Sequence, residues 1–171
     1  MIRKYVQYFK NMLKYIKSGG VVYANVKQVL PSEQFKGKKV LITGGSSGFG
    51  FQMAKDFIAQ GAEVMITGRN TQKIDEAIEK INNSKLHTIV WDQGDCSCII
   101  NKLNEAIREL GGLDIAINNA GVWNNTDWHT VDESEYDKIV DINTKGLYFL
   151  CKAEVDYFRK NNIPAKIINI T

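Results

Sequence analysis

Val40-Leu41-Ile42-Thr43-Gly44-Gly45-Ser46-Ser47-Gly48-Phe49-Gly50 is the stretch whose reading decides the fold. An apolar run meets a glycine-rich turn, and Phe51, Met53, Ala54, Phe57 and Ile58 begin an amphipathic pattern at once. That order predicts a strand, a tight turn and a helix. Glycines there let the backbone turn sharply and approach a phosphate, while the unpaired N–H groups of the helix's first turn face the anion. The spacing is Gly44-x-x-x-Gly48-x-Gly50 rather than the more widespread G-x-G-x-x-G. Gly44 is assigned to the turn, Gly48 to phosphate approach and Gly50 to packing the helix on the strand. A glycine-rich βα loop without a ligand is the competing reading of this stretch taken alone.

Outward from this corner, strand and helix patterns alternate. Apolar runs fall at Lys39–Ile42, Glu63–Thr67, Leu86–Val90, Leu113–Ile117 and Lys166–Ile170, with helical patterns at about 49–60, 71–82, 97–110 and 134–160 between them. Short β-rich runs separated by helices of this length imply a parallel sheet covered on both faces. Right-handed crossovers then give an α/β, Rossmann-type doubly wound sheet of about five strands over residues 37–171. Residues 1–36 read as an amphipathic leader helix followed by a connector through Pro31.

Hydrophobic content of 44% and charged content of 24% are ordinary for a globular domain. No apolar run approaches the roughly 20 residues needed to span a bilayer, and no signal-peptide pattern opens the chain. Cys96, Cys98 and Cys151 do not form a disulfide framework or a zinc-spaced set, so inert thiols in a reducing cytoplasm are expected. The net charge of +3 conceals an asymmetry: residues 1–40 hold nine Lys/Arg and one Glu, leaving the remainder at −5. The basic character belongs to the leader, and the body gains no support as a nucleic-acid binder.

In the leader, Ile2, Tyr5, Val6, Phe9, Met12, Leu13 and Ile16 recur at spacings of three and four among Arg3, Lys4, Lys10, Lys14 and Lys17, without an acid. Two readings stand: reversible attachment to an anionic membrane surface, or docking on the chain's own body or a partner subunit. The second is preferred here, because the tyrosines suit a protein groove as well as an interface.

After the second strand comes Thr67-Gly68-Arg69-Asn70, with Arg69 nineteen residues past Gly50. In a dinucleotide fold the adenosine ribose lands here, and an arginine can accept a 2′-phosphate through a charge-assisted fork. Arg69 therefore leans the cofactor toward NADP, with NAD as the alternative. The fourth strand runs into Asn118-Asn119-Ala120-Gly121, a small corner against which a planar cofactor can lie. An amide such as Asn119 can tie neighbouring strands together there.

Thr43-Gly44-x-x-x-Gly48-x-Gly50 followed by Asn118-Asn119-Ala120-Gly121 resembles the short-chain dehydrogenase/reductase family over about 37–171. The resemblance implies an oxidoreductase moving hydride between nicotinamide and a carbonyl or secondary alcohol. Its implied cofactor-binding set is Thr43, Gly44, Ser46, Ser47, Gly48, Phe49, Gly50, Arg69, Asp92, Gln93, Asn118, Asn119, Ala120 and Gly121. Within it, Asp92 would contact the adenine edge with Gln93 beside it, Asn118, Ala120 and Gly121 would line the cofactor, and Asn119 would brace the sheet. Asn143 matches the asparagine that completes the family's catalytic tetrad by holding a proton-relay water. Many NADP-using members carry a basic residue where this chain has Ser47, which weakens the NADP assignment. The family also implies a small-molecule substrate and, in a full-length chain, a homo-oligomer paired through the long helix.

The resemblance departs at the end of the sequence. The family's serine follows the fifth strand and its Y-x-x-x-K lies on the next helix, whereas this sequence closes with Lys166-Ile167-Ile168-Asn169-Ile170-Thr171. The expectation is a truncated product or partial sequence that binds cofactor with little turnover. Tyr148-x-x-x-Lys152 and Tyr23-x-x-x-Lys27 match Y-x-x-x-K but fall on the wrong elements. Trp123 and Trp128 follow the Asn-Asn-Ala-Gly corner on a loop that could wall a substrate pocket, and Asp132-Glu133-x-Glu135 reads as charge at a helix N-terminus. The rival classes are a non-catalytic nucleotide-binding or interaction module with a docking leader, and a methyltransferase on a similar sheet. The expected location is the cytoplasm, with peripheral membrane attachment as the alternative.

Overall fold

The computed structural model describes residues 2–17, 19, 30, 33–124 and 127–170, with only the backbone of residues 2–8. Tyr23 and Lys27 and most of the expected connector lie outside the described residues.

The elements in chain order are α1 (Ile2–Lys17), β1 (Lys39–Ile42), α2 (Gly48–Ala59), β2 (Glu63–Gly68), α3 (Thr71–Ile81) and β3 (Leu86–Val90). Then follow α4 (Ile99–Leu110), β4 (Ile115–Asn118), α5 (Glu133–Val140), a π-helical turn (Asp141–Gly146), α6 (Leu147–Lys160) and β5 (Lys166–Asn169). The strands form one sheet in the order β3-β2-β1-β4-β5, every pair parallel. This is the doubly wound order expected from the alternating pattern, with the reversal of strand order lying beside β1.

Two-residue alternation along each strand builds two cores. Val40, Ile42, Val64, Ile66, Ile115 and Ile117 pack with Ala54 and Ile58 of α2 and Ala77 of α3. Leu41, Met65 and Ala116 point the other way, against Leu103 of α4 and Leu150 and Phe158 of α6. Successive side chains on a strand leave opposite faces, so apolar residues in succession are required where helices cover both. Phe35 meets Phe57 edge-on with ring centroids 4.7 Å apart, and its N–H bonds the Gln60 carbonyl. The last part of the expected connector is thus packed on α2.

Two boundaries differ from expectation for identifiable reasons. Leu113 and Asp114 precede β4 rather than opening it, because the Asp114 carboxylate accepts the Lys39 N–H at 2.9 Å. The long helix expected over 134–160 is broken by the π-helical turn at Asp141–Gly146, the kind of one-residue widening often found at functional sites. At Gly146, which closes this turn, a Cβ would lie 2.1 Å from the Gln93 carbonyl oxygen, so the turn and the segment after β3 touch backbone to backbone.

Candidate functional site

The carboxyl ends of β1, β2, β3 and β4 converge on a cleft of about 310 Å³. Ligands of open parallel sheets sit at such strand ends, where the strand order reverses. Gly44, Ser46 and Ser47 form one wall, Arg69 and Asn70 a second, and Asp92 and Gln93 a third, with Ala120, Gly121 and Val122 closing the corner.

The β1–α2 corner is built by close approach. Gly44 has φ +66, and a Cβ on it would stand 2.9 Å from Ala120 Cα, so this turn accepts only glycine. A Cβ on Gly50 would meet the Gly44 carbonyl oxygen and the Asn119 amide nitrogen, each at 2.6 Å, which pins the start of α2 against the strand ends. Asn70 and Asp132 cap α3 and α5 by accepting from Lys73 N and Glu135 N, at 3.0 and 2.9 Å. Ser47 makes no such bond at the start of α2, whose first N–H groups are left for another acceptor.

The β4 corner is locked onto β1 by Thr43. Its buried hydroxyl oxygen accepts the N–H groups of Asn119 at 3.1 Å and Ala120 at 3.0 Å. Asn119 completes the tie by donating from Nδ2 to the carbonyls of Thr43 and Gly44, at 3.0 and 3.3 Å. Thr43→Val fills the same space but removes the acceptor, leaving two N–H groups unmatched. A loss of about 2–3 kcal/mol in urea unfolding is expected, with Thr43→Ser within about 1 kcal/mol of the parent. Equal losses in the two variants would remove the hydroxyl's assigned role.

Asn143 lies on the π-helical turn. Its Oδ1 accepts the Val122 N–H at 2.8 Å and its Nδ2 donates to the Val122 carbonyl at 2.7 Å, fastening the segment after Gly121. Gln93 is buried, donating from Nε2 to the Ile142 carbonyl at 3.2 Å and to the Ala120 carbonyl at 3.5 Å. Its Oε1 has no partner although the residue lines the cleft. Asp92 turns one carboxylate oxygen onto the Gly94 N–H at 2.9 Å.

Not every residue of the expected set lines this cavity. Phe49 is 83% exposed, and Gly48, with φ +55, has no neighbour within 4 Å of a Cβ position. The Asn118 side chain, expected to lie along the cofactor, is turned to the α6 face. There its Nδ2 donates to Glu154 Oε2 at 3.0 Å and to Asn169 Oδ1 at 3.1 Å. Strand alternation is the reason: Asn118 shares a face with Ala116, whereas Asn119 falls toward Thr43. Glu154 has no exposed surface, and burial pushes its carboxyl up to about 7 against the opposing effect of the Asn118 hydrogen bond.

Lys73, which the sequence reading did not single out, joins Arg69 on the cleft wall. Its signal was its place in the first turn of α3, directly after the Arg69-Asn70 segment that enters the cleft. Tyr148 and Lys152 lie elsewhere: Tyr148 is 66% exposed, and Lys152 pairs with Asp156 at 2.8 Å on the surface of α6. Trp123 borders a smaller hollow of about 300 Å³ that shares Arg69, Gly121 and Val122 with the main cleft.

Comparison with known proteins places this geometry. The short chain dehydrogenase family matches residues 38–171. A 3alpha-hydroxysteroid dehydrogenase from Mediterraneibacter gnavus is 32% identical over 117 residues, covering 66% of this chain and 47% of that protein. Gluconate 5-dehydrogenase from Gluconobacter oxydans is 31% identical over 139 residues, covering 78% and 53%. The chain thus spans about half the length of these curated relatives. Among solved structures, a 3-ketoacyl-(acyl-carrier-protein) reductase from Brucella melitensis, complexed with NADH, superposes with a TM-score of 0.73. It is 29% identical, with 80% of this chain and 57% of that one covered. Sheet order, glycine corner and sequence agree, and the chain belongs to the short-chain dehydrogenase/reductase family of oxidoreductases.

Proposed function

We propose that residues 37–171 form the NADP(H)-binding part of a reductase or dehydrogenase acting on a carbonyl or secondary alcohol. The observation that carries this reading is the cleft at the strand ends, lined by Gly44, Ser46 and Ser47 just ahead of the uncapped start of α2 and by two cations, Arg69 and Lys73. The residues present fit a dinucleotide: the glycine corner excludes side chains, and the cleft-lining Gln93 keeps an unpartnered acceptor. When bound, the nicotinamide supplies the hydride acceptor or donor.

In this reading the N–H groups at Gly48, Phe49 and Gly50 hold the diphosphate, helped by the Ser46 and Ser47 hydroxyls. Arg69 and Lys73 receive a ribose 2′-phosphate, Asp92 and Gln93 border the adenine, and Ala120 and Gly121 form the wall along the cofactor. Thr43, Asn118 and Asn119 act behind that wall by holding strand ends in register. Asn143 orients the segment after Gly121 and is the residue that would hold a proton-relay water. The family habit of pairing through the long helix would bring a second subunit to the α4–α6 face, where Ile100 and Phe149 are exposed.

The nucleotide preference has a direct test. Titration calorimetry of the 171-residue chain should find NADPH bound about tenfold or more tightly than NADH, with Arg69→Ala removing most of that difference. Equal affinity for the two nucleotides in the parent would return the assignment to NAD.

A further inference from the structure

α1 has a face that the site does not use. Phe9, Met12, Leu13 and Ile16 are 58%, 51%, 41% and 62% exposed, although all four are apolar. At 3.6 residues per turn they fall within an arc of about 100° on the helix surface. Lys10, Lys14 and Lys17 follow on one flank, about 40–100° beyond the edge of that arc. All three lysines are exposed, and among the described residues none of them enters a salt bridge. No acidic residue occurs anywhere in α1.

We infer that α1 is a docking helix for an anionic lipid surface, lying in the plane of the interface. Charge complementarity selects this occupant. An unbroken set of cations beside an apolar stripe matches a surface whose headgroups are negative and whose depth is apolar. Lysines at the stripe's edge can extend their chains along it and keep their ammonium groups among the headgroups. A groove in a second copy of this chain would have to neutralise the same flank with carboxylates. The docking helix of residues 2–17 would instead find phosphates wherever it touched. No helix among the described residues is long and apolar enough to cross a membrane. At 16 residues, about 24 Å, α1 is suited to lying on the surface.

The body carries −5 over residues 41–171, so an anionic surface repels it and the leader alone supplies the attraction. The exposed apolar residues show that the body of the same chain does not cover this face, so docking on the body, one of the readings given from sequence, does not account for it.

Vesicle flotation of the full chain tests the inference, since aggregates do not float. Vesicles of phosphatidylcholine with about 30% phosphatidylserine should carry the protein upward, and pure phosphatidylcholine should carry on the order of a hundredfold less. Leu13→Asp with Ile16→Asp should abolish flotation, and so should exchange of Lys10, Lys14 and Lys17 for glutamate. In both variants NADPH titration, which does not involve α1, verifies that the body is intact. Failure of the parent to float with anionic vesicles overturns the proposal, as does equal flotation with both compositions. Concentration-dependent self-association that Leu13→Asp abolishes, without lipid binding, would assign the face to a second copy instead.

Discussion

Gly146→Ala is expected to destabilise the chain by more than about 3 kcal/mol, among the largest effects of any single substitution outside the apolar core. Gly146 is required by space rather than by backbone torsion. The added carbon would stand 2.1 Å from the Gln93 carbonyl oxygen and 3.0 Å from that of Asp141. Neither is the mobile end of a side chain, so relief requires the turn at Asp141–Gly146 to separate from the segment after β3. That separation would also loosen Ile142, whose carbonyl receives the Gln93 amide, and Asn143, which fastens Val122. Urea unfolding should therefore show a reduced midpoint together with weakened nucleotide binding. Gly121→Ala supplies the comparison, because its added carbon would meet only Asn143 Oδ1 at 3.5 Å, an ordinary contact. A Gly146→Ala variant within about 0.5 kcal/mol of the parent would show that the two segments separate easily.

The second large effect depends on pH. Glu154 is sealed between α6 and the ends of β4 and β5; its Oε2 accepts from Asn118, and its Oε1 has no partner. Such a carboxyl resists ionisation in the fold, titrating at about 7 against 4.5 for an unperturbed glutamate. Between these values the unfolded chain has released a proton that the folded chain keeps. Glu154's contribution is fully present below pH 4.5, falls as pH rises toward about 7, and is lost above it. The separation of the two values corresponds to about 3 kcal/mol. Glu154→Gln keeps the shape and stays neutral. Relative to the parent it should be close in stability near pH 4.5 and more stable by about 2–3 kcal/mol near pH 8. A stability difference that is the same at both pH values would remove the buried carboxyl from this account.

The sheet was legible because alternation and turn chemistry agree along its whole length. Val40 and Ile42 on one face with Leu41 on the other can be satisfied only where helices cover both sides, and the helical patterns supply those covers. The π-helical turn was not legible: Asp141-Ile142-Asn143-Thr144-Lys145-Gly146 is compatible with an α-helix, and its backbone approach to Gln93 joins segments far apart in sequence. Glu154 was overlooked because Lys152 and Asp156 beside it are surface charges. The overlooked sign was its spacing of four from both Leu150 and Phe158, which fixes it on the buried stripe of α6. At the cleft, Gly44, Ser46, Arg69, Asp92 and Gly121 come together from four separate strand ends. Lys73 was missed, and the Asn118 side chain, expected along the cofactor, faces α6 because neighbouring strand residues point opposite ways, whereas Asn119 ties to Thr43 and Gly44.

The central claim is that main-chain N–H groups at the start of α2 hold the diphosphate of a pyridine dinucleotide. At 19.3 kDa the chain suits amide-resolved NMR. On titration with NADPH, the account expects the largest amide shifts at Gly48, Phe49 and Gly50, with smaller ones at Ala120 and Gly121 and none that follow α6. Saturating NADPH that leaves the Gly48–Gly50 amides unmoved, or that moves only residues distant from the strand ends, would contradict it.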